Sequence, residues 1–232
     1  MACVLFDLDN TLLLMKPSLP EKVLEVVSSI HPEVSMETVE QAYAAAELWQ
    51  GRQIQKENET GVRASDEEFF AGVLSAYRQF LPLDDSLSEQ LFSVLSRNYA
   101  MEYQLVLHAK EILDCLKHKG FHLGVVSNNR PQIRQTLSDL GLTPYFESIV
   151  ISEEVNLYKP DPKILELACQ KIGVSCADSI YVGDHPFDVL CAHSASMPAA
   201  WFPPNRFFEL PEGIDPPEYV IHDLEDLCVI FS

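Results

Sequence analysis

The sequence predicts an α/β protein: a mainly parallel sheet covered by helices on both faces, with an all-helical insertion. Three observations lead there. From about residue 105 onward, short apolar, β-branched runs alternate with segments of helical spacing. Strands buried on both faces read as continuous apolar runs, and their alternation with helices is the pattern of parallel crossovers. One further run, Val4-Leu5-Phe6, lies near residue 1, far from the others. Between them lies a long block of helical periodicity. The reading is therefore a core from residues 1–15 and 104–232, and a helical insert from residues 16–103.

The first strand runs into Asp7-Leu8-Asp9-Asn10-Thr11. In an extended strand the two carboxylates share one face and repel. A fold accommodates such a pair when a cation lies beside it or when one member holds a proton. After Thr11 the spacing turns helical. Val23, Val26, Val27 and Ile30 mark a first helix over 21–30. Ser35 and Thr38 open a second, which runs through Ala42, Ala44, Ala45 and Ala46 toward Trp49 and Gln53. The polar stretch 56–63, with Gly61 in it, predicts a loop. Ser65 and Glu68 form a capping-box pattern for a helix with Phe69, Phe70, Val73, Leu74 and Tyr77, closed by Pro82. Ser86 or Ser88 opens a fourth, with Leu91, Phe92, Leu95 and Tyr99 on one face.

The alternating half follows. A helix over 109–119 ends at Gly120, and a strand over 121–126 runs into Ser127-Asn128-Asn129. A helix over 131–140 has Pro131 in its first turn, and a strand covers 148–151. Helix 162–172 stops at Gly173, and strand 179–182 leads into Gly183-Asp184. A helix over 189–196, a strand over 199–202, a turn at Pro203-Pro204-Asn205, a short strand over 219–221 and a helix over 224–230 complete the chain.

Composition excludes several classes. Apolar residues make up 47% of the 232, enough for a sizeable core. The net charge of −19, from 16 basic and 35 acidic residues, leaves no basic face for nucleic acid or an anionic membrane. An anionic substrate must then be held by local cations. No Cys-x-x-Cys pair occurs, and Cys3, Cys115, Cys169 and Cys228 lie in apolar or helix-like runs. They read as small core residues in a reducing compartment. No signal segment or membrane-length apolar run is seen, so a cytoplasmic location is expected.

The candidate chemistry collects at strand ends, where ligands bind in open parallel sheets. Beside Asp7 and Asp9 stand Ser127 and Asn128 after the second strand. Lys159 sits in Tyr158-Lys159-Pro160-Asp161-Pro162, and Asp184 and Asp188 follow a later strand. Carboxylates for a hard divalent cation, one ammonium, a hydroxyl and loop N–H groups suit a phosphate bridged to magnesium.

Read in order, these motifs resemble the haloacid dehalogenase superfamily, in its magnesium-dependent phosphatase branch. The resemblance covers essentially all of the chain outside the insert. It implies a Rossmann-like three-layer core and a cap domain at 16–103. It also implies a small phosphomonoester as substrate. Asp7 would be the nucleophile and a metal ligand, forming an aspartyl-phosphate. Asp9 would protonate the leaving alcohol and then activate water, its backbone carbonyl ligating the metal. Thr11 would help place the chain after the strand. Ser127 and the Asn128 N–H would hold phosphoryl oxygens, and Lys159 would neutralise charge on Asp7 and on the phosphoryl group. Asp184 would ligate Mg2+ directly, with Asp188 a ligand or an anchor behind it. Asp9 sets the chain apart from the dehalogenase branch. A phosphonatase would need a cap lysine, and Lys16, Lys22 and Lys56 give no reason to choose one. A phosphomutase would use the same Asp7 and Asp9, and a non-catalytic protein could keep the fold. A monomer or small homo-oligomer is expected.

One stretch departs from the family. Cys191 to Met197 lacks the glycines common after the last motif, which predicts altered helix–sheet packing there. Side candidates carry blander readings: His185 as a helix cap, Trp49, Arg52 and Gln53 as bundle residues, Arg130 and Arg134 as a solvated face. Cys191 has no base partner in view and is not read as a nucleophile.

Overall fold

The computed structural model describes residues 3–96 and 101–231. Tyr99, expected on the fourth helix, lies outside them. The elements in order are β1 (Cys3–Phe6), β2 (Leu13–Lys16), α1 (Leu19–Ser28), α2 (Met36–Thr60), α3 (Asp66–Tyr77), α4 (Asp85–Leu95), β3 (Glu102–Leu105) and α5 (Ala109–His118). Then follow β4 (His122–Ser127), α6 (Ile133–Asp139), β5 (Ser148–Ile151), α7 (Ser152–Val155), α8 (Lys163–Ile172), β6 (Ser179–Gly183), α9 (Pro186–Ser194), β7 (Ala199–Trp201), β8 (Tyr219–Val220) and α10 (Asp226–Ile230).

Six strands form one sheet in the order β5-β4-β1-β6-β7-β8, every neighbouring pair parallel. Both faces are covered, as the unbroken apolar runs require. Val4, Phe6, Leu123, Val125, Ile180 and Val182 pack with Ile112, Leu113 and Leu116 of α5 and Leu227 of α10. Leu5 and Gly124 point to the other face, where α8 lies; a Cβ on Gly124 would stand 2.7 Å from Leu5 and 3.1 Å from Ile172. On α9, Val189, Cys191 and Ala192 are buried, and the helix packs on β6 and β7.

The chain divides into two compact units, Met1–Leu14 with Tyr103–Ser232, and Met15–Glu102. The second unit is helical. In it α2 packs on α1 and α3, and α1 on α4. Trp49 meets Phe69 edge-on at 5.5 Å, and its indole also fills the space where a side chain on Gly72 would lie.

Several expectations are corrected. The chain does not turn helical straight after Thr11, because residues 13–16 form β2, paired with β3 in a separate two-stranded sheet. Residues 56–60 are the last turn of α2 rather than a loop. Gln53 and Gln55 donate to Glu57 and Glu59 one turn on, at 2.9 and 3.0 Å, and Gly61 ends the helix at φ 70°. The fourth helix is capped by Asp84, not by Ser86 or Ser88, and its buried stripe is Leu87, Leu91 and Val94. Phe92 faces outward, 48% exposed. Helix α9 starts three residues earlier than read, because His185 and Asp188 form a capping box around Pro186. Cys115 and Cys228 are joined in a disulfide between α5 and α10, so they are not the free thiols expected. Cys3 and Cys169 are free and buried.

Candidate active site

β1 sits mid-sheet, with β4 on one side and β6 on the other, and Phe6 aligns with Val125 and Val182. The direction of strand addition reverses here, which opens a crevice at the carboxyl ends of these strands. Asp7 extends the ladder by one bond, its N–H donating to the Val182 carbonyl at 2.9 Å. The chain then bends over Leu8, whose carbonyl accepts from the N–H groups of Thr11, Leu12 and Leu13 at 3.2, 2.9 and 2.8 Å. Asn10 takes a left-handed conformation, φ 57°, which asparagine tolerates. The strand stops at Phe6, so Asp9 lies in the turn that follows rather than in an extended strand.

Lys159 is the hub. Its Nζ lies 2.7 Å from Asp7 Oδ1 and 2.8 Å from Asp188 Oδ1, and donates to Tyr181 Oη at 2.8 Å. These three partners match the three donors of an ammonium. Tyr181 in turn donates to the Val126 carbonyl at 2.7 Å, so its lone pair faces the lysine. Asn128 holds the lysine's backbone from both sides. Its Oδ1 accepts from the Lys159 N–H at 2.8 Å, and its Nδ2 donates to the Lys159 carbonyl at 3.0 Å.

The other acids are held as firmly. Asn10 Nδ2 donates to Asp184 Oδ2 at 3.3 Å, and the Trp201 indole N–H donates to the Asp184 carbonyl at 2.8 Å. Asp188 Oδ2 accepts from the His185 N–H at 3.0 Å, and the His185 ring accepts from Phe187 N–H at 3.1 Å. A side chain on Gly183 would collide with the Asp188 carboxylate, which accounts for a glycine ahead of Asp184. Asn129 Nδ2 donates to Asp9 Oδ2 at 3.0 Å. Ser127 is buried at the end of β4, and Thr11 is fully buried, its hydroxyl without a hydrogen-bond partner.

The charge balance points to a cation. Asp7, Asp184 and Asp188 are all buried, and each offers an oxygen within 4.8 Å of the others. Among the described residues these three carboxylates face the Lys159 ammonium, an excess of acidic groups whose burial is costly unless compensated. An all-oxygen set of this span fits a hard divalent ion such as Mg2+, which the three Asp residues would hold. Burial pushes the Asp7 carboxyl up and Lys159 pulls it down, while Asp188 adds to the rise. Burial works against the Lys159 charge too, but Asp188 and Asp7 together keep its ammonium well above the usual range. We take the lysine as charged throughout the neutral range.

Of the candidate residues, Asp7, Lys159 and Asp188 touch directly, and Asp184 joins them in the carboxylate cluster. Asp9 is hydrogen-bonded to Asn129, and the Asn128 side chain is spent on the lysine's backbone. Sequence reasoning missed Asn10, Asn129, Tyr181 and Trp201. Tyr181 and Trp201 sit in strands and read as core, while Asn10 and Asn129 carry only their adjacency to the motifs as a signal. His185 caps α9. Arg134 pairs with Glu154 at 2.7 Å. Arg130 is 80% exposed at its side chain. Cys191 is buried, and desolvation pushes its thiol up, the wrong direction for a nucleophile.

Acids and a lysine at the switch point of a parallel sheet make a ligand-binding crevice, and sequence comparison gives its family. The haloacid dehalogenase-like hydrolase family model matches residues 4–202, and the chain belongs to that family. It is 26% identical over 231 residues to a phosphoglycolate phosphatase of Mannheimia succiniciproducens, covering 97% of this chain and 96% of that protein. It is 30% identical over 131 residues to pyrophosphatase PpaX of Bacillus pumilus, a match spanning 54% of this chain and 61% of that one. Among solved structures, L-2-haloacid dehalogenase RSc1362 superposes with a TM-score of 0.67 at 22% identity, over 100% of this chain and 98% of that one. A predicted phosphoglycolate phosphatase from Haemophilus somnus gives 0.62 at 21%, with the same coverage. These two structures share the fold.

Proposed function

We propose that this hydrolase is a magnesium-dependent phosphatase that cleaves a small phosphomonoester through an aspartyl-phosphate on Asp7. The observation that carries the proposal is the Lys159 ammonium set 2.7 Å from Asp7, inside a buried cluster of three carboxylates. Relatives named phosphoglycolate phosphatase and phosphoserine phosphatase support a small phosphorylated substrate.

In this reading Asp7 attacks phosphorus, and Lys159 offsets the charge of both partners. Asp9 protonates the departing alcohol and then takes a proton from the water that frees Asp7. Ser127 and the Asn128 N–H receive phosphoryl oxygens, and Thr11 supports the turn that carries Asp9. Asp7, Asp184, Asp188 and the Asp9 carbonyl would hold Mg2+, whose positive charge would lower repulsion between nucleophile and phosphate. We assign residues 16–103 the role of a cap that sets substrate choice, and the protein a place in the cytosol.

Chelation is expected to abolish release of phosphate from para-nitrophenyl phosphate, and added Mg2+ to restore it. Asp184→Asn should raise the Mg2+ concentration for half-maximal rate by roughly tenfold to a hundredfold, while circular dichroism stays unchanged. Equal activity with and without chelator would defeat the proposal.

A further inference from the structure

Asp9 is held by a residue that the proposed chemistry leaves unused. Asn129 Nδ2 donates to Asp9 Oδ2 at 3.0 Å. The orientation of this amide is decided by its other end, because Oδ1 accepts from the Arg130 N–H at 2.9 Å. Turning the amide over would set an N–H donor against that N–H, so Nδ2 must face Asp9. The backbone of residue 129 is fixed as well. Its N–H donates to the buried Ser152 hydroxyl at 3.1 Å, and its carbonyl accepts from the Glu153 N–H at 3.4 Å. The end of β4 is thus tied to the start of α7, and Asn129 has one place to aim.

We propose that Asn129 is a positioning residue that reserves Asp9 Oδ2 as an acceptor and makes Oδ1 the oxygen that exchanges protons with the leaving group and with water. The inference rests on the acid–base role given to Asp9 above. An amide N–H seeks an unprotonated carboxyl oxygen, so a proton carried by Asp9 sits on the other one. Held this way, the O–H points in one direction when the ester oxygen leaves. In the first half-reaction the P–O bond to the alcohol breaks as the Asp7–phosphorus bond forms, and the Oδ1 proton passes to the departing oxygen. In the second, water attacks phosphorus, the Asp7–phosphorus bond breaks, and a water proton returns to Oδ1. Without Asn129 the carboxyl loses the donor that marks Oδ2 as acceptor, and proton transfer loses its alignment while nucleophile, lysine and metal ligands keep theirs.

Leaving groups separate this role from a structural one. Para-nitrophenolate departs without protonation, whereas phenolate departs faster with it. Asn129→Ala should lower kcat/KM for phenyl phosphate by roughly tenfold to a hundredfold, and for para-nitrophenyl phosphate by no more than about threefold. Asn129→Leu, which nearly keeps the shape but removes the donor without adding a charge, should show the same split. Asp9→Asn sets the full size of the effect. Equal losses on both esters, or no loss on either, would overturn the role of Asn129 while a split in Asp9→Asn leaves the acid–base assignment standing. Absence of the split in Asp9→Asn itself would overturn both.

Discussion

Asp7→Asn is expected to lower the turnover of para-nitrophenyl phosphate by at least about 10⁴-fold, with the fold intact. The amide is nearly isosteric but has no anionic lone pair to form the bond to phosphorus. Stability should not suffer in proportion, because the change removes one of three buried negative charges while Lys159 keeps Asp188 at 2.8 Å. The checks are steady-state kinetics and a urea melt on the same preparation. Retained turnover in a folded variant would transfer the nucleophile's role to another group.

Lys159→Met should lose both activity and stability. The methionine fills the apolar part of the space but leaves Asp7 and Asp188 buried without their counter-charge, and Tyr181 without its donor. Removing one partner of a buried ion pair costs about 3–5 kcal/mol. The urea midpoint should fall accordingly, and Mg2+ should recover part of the loss by binding the folded state. The opposite ordering, a stable variant with normal kinetics, would mean that the lysine is a surface charge, contrary to its 7% exposure. The two substitutions thus differ in signature: Asp7→Asn is silent in the melt and Lys159→Met is not.

Much of this was legible in the residues. The parallel sheet followed from apolar runs such as Ser148–Ile151, whose bounds the structure reproduces, and the family followed from four motifs in order. What escaped notice has physical causes. β2 and β3 are four-residue strands that exist through their pairing with each other, a long-range property that local spacing does not encode. The end of α2 was mistaken for a loop because its polar composition hid the amide–carboxylate pairs one turn apart. In the candidate site, charge announced Asp7, Lys159 and Asp184. Tyr181 looked like any aromatic in a strand, and only the folded chain shows its hydroxyl aimed between the Val126 carbonyl and the lysine. Asn128 was assigned by its backbone, while its side chain turned out to clamp residue 159. The disulfide between Cys115 and Cys228, 113 residues apart, could not be inferred from spacing.

The central claim is that a phosphoryl group moves onto the carboxylate of residue 7. The protein should be mixed with para-nitrophenyl phosphate and Mg2+, quenched in acid within one turnover, and reduced with borohydride, which converts an acyl phosphate to an alcohol. Peptide mass spectrometry is expected to find homoserine at position 7 in a substrate-dependent fraction of the chains. Phosphate release with an unmodified Asp7 at every quench time, or reduction at a different carboxylate, would contradict the account.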